Sequence, residues 1–353
     1  MKSWGVLLIL LLHGMYQPVA WSQVAVQEDA SGLPLNFFKD QDPLMIQLKY
    51  SIKEVKSQTN DSTYLASKLW YKDNTETWDS IRIKLRARGN YRRTNCYFAP
   101  LKLKLKKADA KGTIFEGNTK FKLVLPCLME KNNDDFVLKE YLAYKLYEII
   151  ASYHFKTRLT RIDLIEERRK RTNTHQIIGF IIEDIDAVAK RYDAREIERT
   201  IHPLQHDAAA SIQNSFFQYL IANTDFSIKL QHNQKIIFSD KKIIPVPYDF
   251  DMSGLVNANY AAVTNIQNLS GSITEVTQRI YKGYERDVTL VQQVRAQYLE
   301  KKTEMLAALE LLKDEFKDRN QYREAEKFIQ SYFEILESDK KFKKNILDRQ
   351  RTR

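Results

Sequence analysis

The sequence from Asn223 to Gly254 reads NTDFSIKLQHNQKIIFSDKKIIPVPYDFDMSG. The connections between its short β-type runs carry four candidate oxygen ligands: Asp225, Asn233, Asp249 and Asp251. In an extended segment residues two apart point to the same side, so Asp249 and Asp251 would be delivered together at the end of a strand. Carboxylate and amide oxygens are hard ligands that hold Mg²⁺ together with substrate phosphates. The stretch therefore predicts a magnesium and phosphate site, in which Asp225 could orient a hydroxyl nucleophile.

A simpler interpretation exists for these four residues. Asp and Asn are common in turns because their side chains cap nearby backbone groups. For any one of the four, that interpretation is the favoured one. The occurrence of all four in order within one short stretch favours a functional site.

Composition places the chain among globular proteins. Hydrophobic residues make up 43% and charged residues 29% of its 353 residues, which suits one large or two smaller folded domains. The formal net charge of +11 suits anionic partners. However, the basic residues are spread along the chain and no nucleic-acid-binding motif is present, so no nucleic-acid partner is predicted.

The N-terminus predicts export. Residues 1–22 combine Lys2, the apolar run 6–12 and a small-residue end, which is typical of a secretory signal peptide cleaved near Ser22. A polar leader, 23–43, follows. No later run approaches the ~18 apolar residues of a transmembrane helix. We expect a secreted, periplasmic or other extracytoplasmic protein without a transmembrane segment.

The two cysteines fit that compartment. Cys96 and Cys127 could form one disulfide, although two buried thiols are the alternative. Two cysteines and six scattered histidines lack the spacing of a zinc site, so no structural zinc is expected.

Period-two alternation predicts a β-rich N-terminal region, 44–183, with one helix. The expected strands are Leu44–Ile52, Tyr64–Tyr71, Ile81–Arg88, Leu101–Leu105, Phe121–Leu125, Leu159–Leu164 and Ile177–Ile182. The helix begins at Asp134–Asp135 and buries an apolar stripe that includes Leu138 and Leu142. The region 184–353 is predicted to be mainly α-helical, and a helix over 207–222 leads to Asn223. The fold class is therefore α+β.

Two further segments carry candidate phosphate ligands. The turn Arg88-Gly89-Asn90-Tyr91-Arg92-Arg93 can gather arginines and backbone amides around an anion. In the strand LKLKL, Lys102 shares one face with Lys104. These lysines could bind phosphate or could simply solvate one side of a sheet.

Taken in order, these motifs resemble the spore coat protein H (CotH)-like family of secreted atypical protein kinases. The matching segments are R-G-N-x-x-R at 88–93, N-x-D at 223–225, H-N at 232–233 and D-F-D at 249–251. The resemblance implies an atypical protein-kinase-like fold of two lobes, with ATP and Mg²⁺ (or Mn²⁺) as cofactors. The chain departs from the family at Ala99-Pro100, where a lysine is usual. Asn233 lies eight residues after Asp225, whereas protein kinases place the metal-binding Asn five residues after the catalytic Asp; the family tolerates longer loops here.

The resemblance also implies roles for individual residues. Asp225 would be the catalytic residue, whereas Asn233, Asp249 and Asp251 would hold metal. Lys102, Arg88 and Arg92 would contact phosphate. Glu140 would be the helix acid that pairs with the strand lysine, and Glu183 would lie near the adenine.

Three function classes remain open from the sequence. The first is a protein kinase that phosphorylates Ser or Thr of a protein substrate not identified by the sequence. The second is a catalytically inactive pseudokinase or surface-assembly protein. The third is a metal-dependent hydrolase, for which no nucleophile–base pair can be named. The sequence does not predict an oligomeric state.

Overall fold

A computed structural model of the protein describes residues 36–72, 77–89, 91–130, 132–263 and 273–352. The predicted signal peptide and most of the predicted leader lie outside the described residues. Asn90, in the middle of the R-G-N motif, also lies outside them.

Seven strands close into a barrel in the order β1-β2-β3-β4-β5-β7-β6. They are β1 Leu44–Tyr50, β2 Leu65–Lys72, β3 Asp79–Ala87, β4 Leu101–Leu105, β5 Lys120–Val124, β6 Thr157–Arg168 and β7 Arg171–Glu183. Neighbours pair antiparallel except β1 and β6, which pair in parallel and close the barrel. A separate three-stranded sheet contains β8 Arg195–Ile197, β9 Gln234–Ser239 and β10 Lys242–Pro247.

The alternation of the sequence explains which side of each barrel strand faces inward. In β3 the apolar residues Ile81, Ile83 and Leu85 are buried, while the residues between them are more exposed. Similar apolar positions of the other strands fill the barrel interior, together with an aromatic group around Phe37 and Phe121. Burying one face of each strand fixes the register, because a slip by one residue would turn the charged face inward.

The described helices lie mostly outside the barrel. They are α1 Asn36–Lys39, α2 Ile52–Gln58, α3 Tyr91–Asn95, α4 Lys107–Ala110, α5 Asn133–Ile150, α6 Ile185–Arg191, α7 Ala208–Leu220, α8 Val288–Glu300, α9 Lys302–Glu310, α10 Arg319–Glu337 and α11 Asp339–Asn345. Three short 3-10 turns complete them: Pro203–Gln205, Lys313–Glu315 and Leu347–Arg349.

A second hydrophobic core joins the helices to one side of the barrel. It contains apolar residues of α5 and of the C-terminal helices, and it reaches the outward residues Val124 and Phe180 of the barrel. Helix α5, which is inserted between β5 and β6, packs against β7 and against α9. The helix therefore connects the barrel to the C-terminal region, and residues on it can face both.

The α+β prediction is confirmed at this level, with some corrections. The expected strands are present, although β6 and β7 are much longer than expected because they form one extended hairpin. Three short helices, α2, α3 and α4, accompany α5 in the region 44–183, where one helix was expected. Strand β10 ends at Pro247, so the expectation that Asp249 and Asp251 share a strand face is wrong. Asp249 has a φ of 66°, a left-handed conformation incompatible with a strand.

The predicted cysteine pairing is present in the structure. Cys96 and Cys127 form a disulfide with their Cα atoms 4.5 Å apart. In the described part of the chain, no helix has the length and apolar character needed to cross a membrane.

Candidate functional site

Two loops meet where α7 ends and β10 ends. Helix α7 stops at Leu220, and Ala222 then takes a left-handed conformation with a φ of 49°. The amide of Gly254 donates to the carbonyl of Ala222 over 3.1 Å. A Cβ atom on Gly254 would lie only 2.8 Å from the Ala222 Cβ, so only glycine permits this approach. The contact brings the Asn223–Asp225 turn beside the segment that carries Asp249 and Asp251.

Asp225 lies in a compact polar turn. Its amide donates to Asn223 Oδ1 over 3.0 Å, and its carboxylate accepts a 2.9 Å hydrogen bond from Asn233 Nδ2. His232 Nε2 lies 3.5 Å from Asp225 Oδ1. Burial raises the pKa of Asp225, and the negative charge of Asp249 adds to the effect against the opposing influence of His232 and Asn233. The structure therefore unites Asp225 and Asn233 despite the eight residues between them.

Asp249 and Asp251 follow β10 immediately. The Asp249 amide donates to Tyr144 Oη over 3.0 Å, which ties the turn to helix α5. Asp251 is 5% exposed, and the Tyr260 hydroxyl donates to its carboxylate over 3.3 Å. Burial raises the pKa of Asp251 to about 7, and the nearby charges of Asp249 and Asp225 act in the same direction. The carboxylates of Asp225 and Asp249 therefore lie close enough to Asp251 to destabilise its negative charge.

Arg92 is the buried cation of the site. Its Nη1 atom lies 3.2 Å from Glu140 Oε2 and 3.8 Å from Asp251 Oδ2. A second guanidinium nitrogen donates to the Leu125 carbonyl. Although burial opposes its charge, electrostatic interactions, with Tyr260 and Glu140 first and then with Asp251 and Asp249, raise the pKa of Arg92. Its helix α3 ends next to the Cys96–Cys127 disulfide, which holds that helix against the end of β5.

The expected pairing of Lys102 with Glu140 is wrong. Glu140 is 2% exposed and pairs with Arg92, whereas the ammonium of Lys102 lies 3.3 Å from Asp184 Oδ2. Burial raises the pKa of Glu140 to about 8, even with Arg92 beside it. Glu140 lies off the apolar stripe of α5, but the helix is buried on that side as well, where Arg92 of α3 contacts it.

Lys122 is a second lysine of the site, one that sequence analysis did not single out. Its side chain is 9% exposed, and its ammonium lies 4.8 Å from the Tyr248 ring centroid and 5.1 Å from that of Phe155. Burial lowers the pKa of Lys122 to about 7, and the charge of Arg88 lowers it further, while Asp184 and Asp249 oppose this. The alternation of KFKLV could have indicated it, because Lys122 lies directly opposite Lys102 in the sheet.

Two other candidates differ in their surroundings. Arg88 lies within the site, since its charge lowers the pKa of both Lys122 and Glu140. Glu183, by contrast, is fully buried and accepts a 2.6 Å hydrogen bond from Arg191 Nη2. Its carboxylate also accepts from the Lys156 amide over 3.1 Å. The Glu183 carboxylate is therefore engaged within the protein, although it immediately precedes Asp184.

Lys282 supports the Asp225 turn from behind. It is 4% exposed and donates to the carbonyls of Thr224 and Phe226, over 2.7 and 3.0 Å. These carbonyls flank Asp225 on both sides. Burial lowers the pKa of Lys282 to about 7. The single lysine in an irregular segment gave no pattern from which the sequence could have indicated this role.

The residues present suit a divalent cation held jointly with phosphate. Within the described ranges, no three His, Cys, Asp or Glu side chains form a group that could hold a metal ion by themselves. The negative charge of Asp249 adds to the cost of ionising Asp251, and a cation between them would remove that cost. Mg²⁺ is usually bound by one or two carboxylates, with substrate phosphates and water completing the shell. The chemistry of the donor set, with Asn233 at its edge, therefore fits Mg²⁺ or Mn²⁺.

No family model matches the sequence, and no curated protein shows significant similarity to it.

Proposed function

We propose that the protein is a magnesium-dependent phosphotransferase of the CotH-like, two-lobed kinase type, which transfers the γ-phosphate of ATP to Ser or Thr of a protein. The observation that supports it most is the meeting of acids and cations in one place. Asp225, Asp249 and Asp251 face a set of buried or half-buried cations that includes Arg92 and Lys122. Such pairing of opposite charges suits a ligand that brings both phosphate and metal.

Each side of the site has a part in this chemistry. Asp225 orients the hydroxyl of the acceptor and accepts its proton, for which a raised pKa is suitable. Lys122 and Arg88 neutralise phosphate oxygens from the barrel side. Positioning and charge neutralisation account for most of the catalysis, because a loose phosphoryl transition state needs little covalent assistance.

Asp249, Asp251 and Asn233 would hold the metal ion. Bound Mg²⁺ or Mn²⁺ supplies a positive charge that neutralises the β- and γ-phosphates. Arg92 keeps Asp251 and Glu140 in place around that position, since it lies between the two carboxylates. In this proposal Lys102, anchored by Asp184, has a secondary role in phosphate contact.

A non-enzymatic role is the second candidate. The helix acid Glu140 pairs with an arginine on a short helix and not with a strand lysine, which departs from the arrangement of active protein kinases. A protein with this change could bind a nucleotide without transferring phosphate and act in surface assembly.

Transfer of label from γ-labelled ATP separates the two candidates. The mature protein is incubated with Mg²⁺ or Mn²⁺ and dephosphorylated casein, and label is followed on casein and on the protein itself. The proposal expects incorporation on Ser or Thr that is lost in Asp225→Asn while the melting temperature of the variant stays near that of the wild type. Nucleotide binding without transfer would favour the non-enzymatic role. Absence of both binding and transfer would contradict the proposal.

A further inference from the structure

The outward side of β3, β4 and β5 has an unusual concentration of positive charge. Seven of its side chains are basic and none is acidic: Arg82, Lys84, Arg86, Lys102, Lys104, Lys120 and Lys122. We refer to these seven residues as the basic face. The end of the basic face that carries Lys122 adjoins the candidate site, because Lys122 contacts Tyr248 and the charge of Asp249 affects its pKa.

Strand register places these cations in two rows across the sheet. Lys84, Lys104 and Lys120 lie opposite one another in the outer row. Arg86, Lys102 and Lys122 do so in the inner row, which is the row next to the site. Directly opposed side chains have Cβ atoms about 5 Å apart, and like charges at that distance destabilise a sheet. The four opposed pairs therefore cost stability that the fold alone does not require.

Acids from outside the sheet neutralise this charge only in part. Asp61 lies 2.9 Å from Arg86, Asp109 lies 2.7 Å from Arg82, and Asp186 pairs with Lys120. Lys84 has no carboxylate partner among the described residues. Lys104 has none there either, and its ammonium lies 4.3 Å from the centroid of the Tyr64 ring. Excess charge therefore remains in the outer row.

The pKa of Tyr64 responds to the positive charge of this face. Its hydroxyl accepts a 3.2 Å hydrogen bond from Arg86 Nε. Although burial acts the other way, the hydrogen bonds from Arg86 and Lys104 lower the pKa of Tyr64. The cations of this face therefore make a negative charge on Tyr64 less unfavourable than it would be in water.

We propose that the outer row of the basic face binds an extended acidic segment of a protein partner. In the inner row, Lys102 and Lys122 belong to the proposed phosphate site and Arg86 pairs with Asp61, so the outer row remains for a second anion. Lys84, Lys104 and Lys120 lie in a line across the sheet, with neighbouring Cβ atoms about 5 Å apart. Carboxylates on alternate residues of an extended segment are about 7 Å apart, and the flexible lysine side chains can spread to pair with them in succession.

The surroundings favour a peptide over a nucleic acid. Single-stranded nucleic acids bind on surfaces where aromatic rings stack with the bases. The ammonium of Lys104 already occupies one face of the Tyr64 ring. The inference rests on the proposed function in one respect only, which is that the bound segment belongs to the protein that accepts phosphate.

Fluorescence anisotropy with a labelled decaglutamate peptide tests the inference without nucleotide or metal. The peptide has no hydroxyl, so binding is measured apart from transfer. The test variant is the triple Lys84→Gln, Lys104→Gln and Lys120→Gln. Its matched control is Lys327→Gln, Lys340→Gln and Lys344→Gln, which removes the same charge from exposed positions of α10 and beyond its end.

We expect wild-type binding that weakens as salt is added. The test variant should bind about tenfold more weakly, and the control within about twofold of wild type. Equal losses in the two variants, or no binding at low salt, would overturn the inference. Stronger binding of an oligonucleotide of equal charge, or of phosphatidylserine vesicles, through the same three lysines would overturn the choice of partner.

Asp225→Asn keeps the two proposals distinct. This variant should bind decaglutamate as the wild type does, because Asp225 lies outside the basic face. Peptide binding with no transfer in the wild type would contradict only the proposed function. Transfer with no peptide binding would contradict only the inference.

Discussion

Replacing Lys122 by methionine should stabilise the protein and weaken its nucleotide binding at once. Burial lowers the pKa of this lysine from 10.5 to about 7. At pH 7 such a difference costs the folded state about 4 kcal/mol relative to a lysine that stays in water. Methionine has a similar length and carries no charge, and it can pack against the rings of Phe155 and Tyr248. We expect about half of the cost, about 2 kcal/mol, to be recovered as stability, which raises Tm by about 4 °C.

The effect on binding has the opposite sign. A phosphate beside Lys122 would restore the positive charge of the lysine. The ion pair between the buried ammonium and the phosphate would then add to the affinity for the nucleotide. Isothermal titration with ATP and Mg²⁺ should show at least about a tenfold loss of affinity in Lys122→Met. The comparison variant is Lys102→Met, which removes a half-buried ion pair with Asp184. It should lower stability by no more than about 1 kcal/mol and affinity by a smaller factor.

One combination of results would refute this reasoning. If Lys122→Met unfolds at a lower temperature and binds ATP as the wild type does, the lysine has a structural role only. If Lys102→Met alone abolishes binding, the phosphate contact lies on β4, as the sequence had predicted.

Further predictions concern the carboxylates, the metal and the disulfide. Asp249→Asn should abolish transfer with little change in Tm, since its carboxylate lies in a turn outside the apolar core; unfolding of the variant at 25 °C would mark the residue as structural. The gain in nucleotide affinity that Mg²⁺ brings, followed by calorimetry, should increase as pH rises through about 7, because Asp251 must lose its proton to bind metal. A gain that stays constant between pH 6 and 8 would contradict a role for Asp251. Removing the disulfide by Cys96→Ala and Cys127→Ala should lower stability by about 4 kcal/mol, given a sequence separation of 31, as measured by urea unfolding.

The sequence was sufficient to predict where most strands lie. Alternation in β3 and β4 indicated both the strands and their charged faces, because one side of each strand must be buried and the other solvated. It could not predict that β6 returns in parallel to β1 and closes a barrel, since pairing between distant strands has no local signal. The helix α5 was expected at its place, but its burial on nearly all sides depends on neighbours far along the chain.

The same division applies to the site. The grouping of Asp225 and Asn233 followed from their short separation, and the order of the motifs indicated the remaining acids. The partner of Glu140 could not be predicted, because Arg92 reaches it across 48 positions of sequence through a short helix. Lys122 was missed for a related reason. Its place beside Tyr248 depends on the packing of the barrel against the C-terminal region, which one strand's pattern does not reveal.

Glu140 pairs with Arg92 and not with the strand lysine that protein kinases use, and this difference has a chemical consequence for the proposed kinase. A guanidinium stays charged at any pH that the folded protein experiences, so Arg92 is a permanent counter-charge for Glu140 and Asp251. Lys122, with a pKa of about 7, is instead neutral or charged according to what lies beside it. The two tasks of a kinase lysine, holding the helix acid and meeting the phosphate, are thereby divided between two residues. Because the disulfide at Cys96 anchors the helix of Arg92, the first task persists in the free protein. Lys122 contacts phosphate only when the nucleotide binds. Above pH 7, nucleotide binding should therefore be accompanied by proton uptake, in proportion to the fraction of Lys122 that is neutral in the free protein.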